Sequence, residues 1–370
     1  MTTDWGASGR VDTYSLKAVD PFSLKVVEDL AFDPSSSSIT EAYYSDNYSS
    51  ASIMLEGSDY VKDGNERLLS IYHDVTAGDG TKVSEVMGTF FVDSMTRKAQ
   101  WHRQSRNLAC YSTLLRSSDD KLTADFARAK GANVVAAIRA VAEADGGKLR
   151  VMEGVDKTRT FGQPISFEIG TVKKTVMSEM AGWIGCVIGV DTYGYITLAP
   201  YQNPRSVAPK YVFTEGRQCM YLPGVDWDSN RDEVLNRVVM YYSRESKNDD
   251  DPYPLTDRVM VDLPESSRWS YDKVGRRKSE VVSVSQPCSH ADLLAKAQTY
   301  LAENSAEILY ITISHVQVPG LHAGDVIEYI NNTDEEELHI TGLITQMEIN
   351  NLGPGCMCTS KIKILTWIAS

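Results

Sequence analysis

A chain of 370 residues is too long for one ordinary core and divides into about two to four domains of roughly 100 residues each. Its 42% hydrophobic and 24% charged content excludes a disordered chain, which has too little apolar surface to bury. A formal net charge of −13 argues against a protein built to grip nucleic acid phosphates, since that affinity comes from Lys and Arg neutralising them.

The N-terminal Met1-Thr2-Thr3-Asp4-Trp5 lacks the basic and apolar regions of a secretory signal. No apolar run approaches the roughly 18 residues of a membrane span. The expectation is a soluble protein without stable membrane insertion. The cysteines Cys110, Cys186, Cys219, Cys288, Cys356 and Cys358 are mostly isolated and are expected to be reduced and mostly buried.

Residues 10 to 115 read as almost entirely β. Tyr14, Leu16 and Ala18 alternate with Ser15 and Lys17, the period of a strand with one buried face. Val26 to Phe32, Ile39 to Tyr44 and Ser52 to Leu55 are further short strands, set apart by Asp-Pro, Ser-rich and Asp-Asn breaks. Arg67-Leu68-Leu69-Ser70-Ile71-Tyr72-His73-Asp74 leads into a tight connection at Ala77-Gly78-Asp79-Gly80. Gly88-Thr89-Phe90-Phe91-Val92 and Leu108-Ala109-Cys110-Tyr111-Ser112-Thr113-Leu114-Leu115 follow. Short strands with turns about every 8 to 12 residues predict a barrel or sandwich.

The pattern changes after Asp119-Asp120. Val134, Val135, Ile138, Val141 and Ala142 predict an amphipathic helix closed by Gly146-Gly147. Val172, Val176 and Met180 predict a second helix ending near Gly182. It feeds a hairpin, Cys186 to Val190 and Tyr195 to Leu198, around Asp191-Thr192-Tyr193-Gly194. Residues 119 to 204 are thus a small α+β domain.

Leu235 to Tyr242 is the clearest strand of the next β stretch. A hydrophilic break at 246 to 252 precedes strands at Val259 to Leu263 and Val281 to Val284. A helix follows from Ala291 to Ala302, with Ser289 as N-cap, Asp292 in the first turn, and Leu293, Leu294, Ala297, Tyr300 and Leu301 as its buried stripe. Strands resume at Ile308 to Val316, Asp325 to Ile330, Leu338 to Ile349 and Lys361 to Trp367. The β unit at 205 to 242 is too short to close alone, so the strands from 305 to 370 are expected to complete it, with 243 to 304 inserted between. The predicted fold class is mainly β with α+β parts: two similar antiparallel β-barrels, at 1 to 118 and at 205 to 242 plus 305 to 370, and two smaller outer domains at 119 to 204 and 243 to 304.

Catalytic and metal motifs are absent. Cys356-x-Cys358 has no second cysteine pair or nearby His in sequence, and alternation on one strand face explains it equally. Asn248-Asp249-Asp250-Asp251 lacks the ligand spacing of a calcium loop, and Asp334-Glu335-Glu336-Glu337 reads as a charged hairpin tip. His73, His102, His290, His315, His322 and His339 form no zinc-helix motif. Serine-elbow, dinucleotide and phosphate-loop patterns are also missing. The run Arg276-Arg277-Lys278 reads as a solvated turn or a protein contact. No catalytic residue, cofactor or metal is expected.

The strand ending in Tyr72, the glycine turn, the Gly88-Thr89-Phe90 strand and Cys110-Tyr111-x-x-Leu114-Leu115 resemble the first barrel of phage tail hub proteins. Three later places are similar to the same family. They are Ile169 to Tyr201, with Trp183, Asp-Thr-Tyr-Gly and Ala199-Pro200-Tyr201; Val234-Leu235-Asn236-Arg237-Val238-Val239; and Pro319-Gly320-Leu321-His322-Ala323-Gly324-Asp325-Val326-Ile327. The positions that carry the resemblance are Gly88, Phe90, Tyr111, Asn236, Leu321, Gly324 and Asp325. The resemblance implies a homotrimeric ring of barrels at the tip of a virion tail, assembled in the host bacterial cytoplasm. Its implied partners are the tail tube, a distal tail or baseplate ring protein, and a spike, fibre or tip protein, with DNA passing through the channel without specific binding. The chain stops soon after the second barrel, so cell-wall cleavage and host binding are expected to belong to other proteins. A carbohydrate-binding tail module and a cell-wall hydrolase are the competing readings.

Overall fold

A computed structural model describes residues 5, 8–56, 67–100, 103–144, 146–162, 164–214, 220–222, 224–230, 234–243, 256–284, 290–305, 308–331, 338–353 and 355–369. The chain is mainly β with smaller α+β parts. It forms two compact units, Met1–Val225 with Thr312–Ser370, and Asp226–Ile311.

The first unit begins with β1 (Val11–Val19), β2 (Val26–Leu30), β3 (Phe32–Ala42), β4 (Ser49–Glu56), β5 (Leu68–Thr76), β6 (Lys82–Gln100) and β7 (Arg103–Ser112). Their spatial order is β3-β4-β7-β6-β5-β1-β2, with every neighbouring pair antiparallel. The period-two pattern is realised: Leu69, Ile71, His73 and Val75 of β5 all point inward and are buried. Between β5 and β6 the Ala77 amide donates to the Thr81 carbonyl at 2.8 Å, and Gly80 takes the left-handed conformation, φ 86°, that the tight turn demands.

The α+β part comprises α1 (Leu115–Asp119), β8 (Phe126–Arg128), α2 (Val134–Glu143), β9 (Leu149–Val151), β10 (Ile165–Phe167), α3 (Lys173–Trp183), β11 (Cys186–Val190) and β12 (Ile196–Pro200). Asn133 caps α2, its side chain accepting from the Ala136 amide at 2.8 Å. Val134, Ile138 and Val141 of α2 share one core with Val176, Met177 and Met180 of α3 and with Leu198. The β11–β12 hairpin is docked on the large sheet by two threonines. Thr89 donates to the Thr192 carbonyl at 2.8 Å, and Thr113 to the Gly194 carbonyl at 3.0 Å. A side chain at Gly194, φ 88°, would strike both threonines. The short β13 (Tyr211–Thr214) completes this first run of the unit.

The second unit contains β14 (Asp226–Asn230), β15 (Arg237–Ser243), β16 (Thr256–Asp262), α4 (Tyr271–Val274), β17 (Ser279–Ser283) and α5 (His290–Asn304). Strand β15 lies between β16, antiparallel, and β17, parallel. Val238 and Met240 of β15 and Val259 of β16 are buried against Leu293, Ala297 and Leu301 of α5. This corrects the expected place of Arg237–Ser243, which does not join the strands after residue 305. Its inward face matches the apolar stripe of α5, and burying both together removes more apolar surface from water than either achieves alone.

The first unit resumes within β18 (Ile308–Val316), followed by β19 (Val326–Asn331), β20 (Leu338–Ile349) and β21 (Met357–Ala369). Strand β20 pairs with β21 on one side and with β3 on the other, Ile349 opposite Ile39, so the late and early strands share one sheet, in the order β18-β21-β20-β3. Strand β13 joins by pairing in parallel with β19. The Asn248–Asp251 loop, the Asp334–Glu337 tip, Ser289, His102, Cys219 and Cys288 lie outside the described residues. Cys110, Cys186, Cys356 and Cys358 are free and buried.

Candidate functional site

The polar chemistry of the first unit converges on the turn between β18 and β19, residues 317 to 325. The sequence reason is a run that cannot continue as strand: Pro319 has no backbone N–H to donate, and Gly320 and Gly324 both adopt positive φ, 75° and 96°. At Gly324 an added Cβ would lie 2.7 Å from the Tyr43 ring, so only glycine lets the turn lie against β3. Leu321 plugs the turn into the core at 3% exposure. Asp325 folds it, accepting from the His322 amide at 2.8 Å and from Lys210 Nζ at 2.7 Å.

Two carboxylates from the early strands hold the turn. Glu41 of β3 accepts from the Ala323 amide through Oε2 at 2.8 Å and from His322 Nδ1 through Oε1 at 2.9 Å. Glu85 of β6 accepts from the Gly320 amide through Oε2 at 2.5 Å, and its Oε1 faces His73 Nδ1 at 3.2 Å. The other nitrogen of His73, Nε2, meets Asp12 Oδ1 at 2.8 Å, and Arg10 binds the same carboxylate. The Tyr14 ring stacks on His73 with centroids 4.6 Å apart, and its hydroxyl donates to Gln317 Oε1 at 2.8 Å. Tyr48 donates to the Ala323 carbonyl. Hydrogen bonds to charged groups each contribute about 1.5–3 kcal/mol, and a buried carboxylate left without them is strongly destabilising.

Burial pushes the His73 and His322 imidazoles down, but the carboxylates around them more than reverse this, and both lie above the ordinary histidine value. Burial pushes Asp12 up, and its bonds to His73 and Arg10 outweigh that and hold it below the usual carboxylate range. Deeper in the fold His315 behaves oppositely. It is fully buried, its Nδ1 donates to the Val316 carbonyl, and its Nε2 accepts from Ser360 Oγ at 2.8 Å, so burial lowers it to about 4 and it is neutral.

Of the positions singled out in sequence, the structure brings Leu321, Gly324 and Asp325 together in this turn. Gly88 and Phe90 lie on β6, where the register against β5 shifts and the Phe90 ring covers Gly88. Tyr111 sits half-buried on β7 between Ser50 and Phe91, away from the turn. Asn236 belongs to the second unit, where it donates to the Arg276 carbonyl at 2.7 Å and accepts from the Lys278 amide at 2.8 Å, pinning the segment before β17. Sequence reasoning missed Asp12, Glu41 and His73. The available signal was parity: each shares the inward phase of a strand with apolar neighbours, Leu16, Ile39 and Ile71 respectively.

Beside the turn lies an open cleft of about 630 Å³, lined among others by Tyr43, Met152, Pro200, Tyr201, Lys210 and Asp325. Among the described residues, no group of three or more His, Cys, Asp or Glu side chains is arranged to hold a metal ion. Among the same residues no helix is long and apolar enough to cross a membrane.

No protein-family model and no curated protein matches the chain. Solved structures do. A tail protein from Neisseria meningitidis superposes with a TM-score of 0.63 at 13% identity, covering 95% of this chain and 96% of that one. The 43 kDa tail protein of prophage MuSo2 from Shewanella oneidensis gives 0.58 at 11% identity, covering 94% and 97%. The prophage tail protein gp18 from Listeria monocytogenes gives 0.54 at 12% identity, covering 94% of each. The similarity runs end to end at low identity, so what is shared is the course of the backbone: the chain has the fold of phage tail proteins.

Proposed function

We propose that the protein is a structural hub at the tip of a phage or phage-derived tail. Three copies form a ring that caps the tail tube, connects it to the distal tail or baseplate ring and to a spike, fibre or tip protein, and surrounds the channel for DNA. The observation that carries this reading is the end-to-end likeness to three tail proteins, two of them from prophages, each covered over at least 94% of its length. In this reading residues 1 to 118 form one barrel, and β13 with the strands after residue 305 form the second. The β20–β3 pairing and the clasped turn support a rigid joint between them. Among the described residues, strand β2 stands at one end of the sheet order and exposes Val26 and Val27, apolar surface that supports contact with a neighbouring copy. The work is mechanical and the protein is not an enzyme.

The test is native mass spectrometry and electron microscopy of the purified chain alone and in assembled tails. A species of three times the 41.0 kDa chain mass, seen as a ring, is expected. A monomer within the tail, or six copies per ring, overturns the reading. Release of sugars from purified cell walls, abolished by one acidic substitution, overturns the non-enzymatic part.

A further inference from the structure

We propose that the turn at residues 317 to 325 is a pH-governed clasp, in which charged His73 and His322 hold the two carboxylates that dock it, so that raising the pH loosens the joint between the early and late strands of the first unit.

The geometry repeats one device twice. Each docking carboxylate gives one oxygen to a histidine and the other to a backbone amide of the turn: Glu41 to His322 and Ala323, Glu85 to His73 and Gly320. His73 is wedged between Glu85 and Asp12, so both of its nitrogens must donate, which only the imidazolium can do. Its side chain is 0% exposed, so no water takes over when the proton leaves.

The surrounding charges make the histidines necessary. His73 is faced by Asp12, itself bound by Arg10, and by Tyr14 from β1; by Glu85 from β6; and by Cys356 from the segment before β21. His322 is faced by Glu41 from β3, by Glu85 from β6, and by Asp325 of its own turn, which Lys210 also binds; Tyr48 stands close to Glu41 and Asp325. Four carboxylates thus meet two fixed cations, Arg10 and Lys210, and the two imidazolium charges complete the balance. Loss of both protons leaves uncompensated negative charge in a largely buried place.

The direction follows from linkage. Both imidazoles are held above 6.5 when docked, so the clasp is complete below the ordinary histidine value and is lost as the pH rises through the raised docked values. Asp12 is depressed, so its own contribution is lost only on the acid side, as the pH falls below its ordinary 3.8.

The Gly320 and Ala323 amides are the bonds in question, which makes hydrogen exchange of the full chain the direct measurement. Exchange of peptides covering 318 to 326 is compared at about pH 6 and about pH 9, corrected for the base-catalysed intrinsic rate, with helix α2, Val134–Glu143, whose core lies apart from the turn, as the internal reference. Loss of one charge-assisted bond corresponds to about tenfold or more in protection, expected in the turn and not in the reference. The His73→Gln/His322→Gln variant should show weaker protection without the pH response. Unchanged protection in the unmodified chain, or the same pH response in the double variant, overturns the clasp. If the double variant does not fold, NMR titration of the two histidines in the unmodified chain decides: midpoints above 6.5 that coincide with the loss of protection support it, and midpoints at or below 6.5 overturn it.

Discussion

Phe90 is fully buried and its ring lies so close over Gly88 that a Cβ there would sit 2.3 Å from ring carbon Cζ. The glycine is therefore required by its neighbour, at a place where the β5–β6 register slips and the strand is already bent. Gly88→Ala is expected to destabilise the chain by about 1–3 kcal/mol through overpacking, read as a lower denaturant midpoint with unchanged slope. Adding Phe90→Leu should cost less than the sum of the single changes, because the smaller side chain vacates the space that the new methyl needs; strict additivity would show that the contact is not the cause. His315 gives a second residue-scale expectation. Neutral in the fold with its value lowered to about 4, it takes up a proton in the unfolded chain from 6.5 downward. Its contribution is fully present above 6.5 and is lost as the pH falls toward about 4, by at most about 3 kcal/mol. Melting temperature against pH should fall across that window, and His315→Asn should flatten the fall while lowering the plateau. An unchanged acid slope in the variant would assign the loss to other groups.

At the scale of elements, the parts that were legible in sequence are those whose period is long enough to count. The stripe of α2, the helix at Lys173–Trp183, the stripe of α5 and the β5–β6 connection all stand where spacing and glycines put them. Strands β8, β9 and β10 have three residues each, too few for alternation to register. The partner of β15 was not legible for a different reason: alternation says which face of a strand is buried, not what buries it. Val238 and Met240 fit any apolar surface, and only the three-dimensional match to Leu293, Ala297 and Leu301 selects α5. The docking acids were hidden by the opposite habit, that of reading charged residues as solvated, although Glu41 and Asp12 occupy inward strand positions. The α5 contact is testable. Leu293 is completely buried, so Leu293→Ala should cost about 2–5 kcal/mol and speed amide exchange across 234–243 and 290–304. Exchange in Leu343–Ile349 should stay unchanged, because that strand belongs to the other compact unit. Equal loss of protection in both would show that the two units unfold as one.

For the whole molecule, charge is the property that sequence fixes and that the proposed three-copy ring would multiply. Each chain carries −13 at neutral pH, with 37 Lys and Arg against 50 Asp and Glu. A ring that encloses a moving polyanion faces opposing demands: it must surround the DNA closely yet offer no run of cations to it, because every phosphate neutralised adds affinity and a salt-dependent residence. Several basic side chains are already engaged within the chain. Arg10 is bound to Asp12, Lys173 to Asp120, Lys174 to Asp46, Lys210 to Asp325 and Arg237 to Asp262. Cations so paired contribute little to a continuous positive lining. The expectation is that the assembled particle does not retain double-stranded DNA at about 0.15 M salt, and that what binding remains at low salt has a slope of log affinity against log salt near zero. Fluorescence anisotropy with a labelled duplex over a salt series reads both quantities. A steep negative slope, with tight binding at low salt, would mean that phosphates meet a cluster of lysines and arginines, and the reading of the channel as a non-adhesive passage would then be wrong even if the ring itself stands.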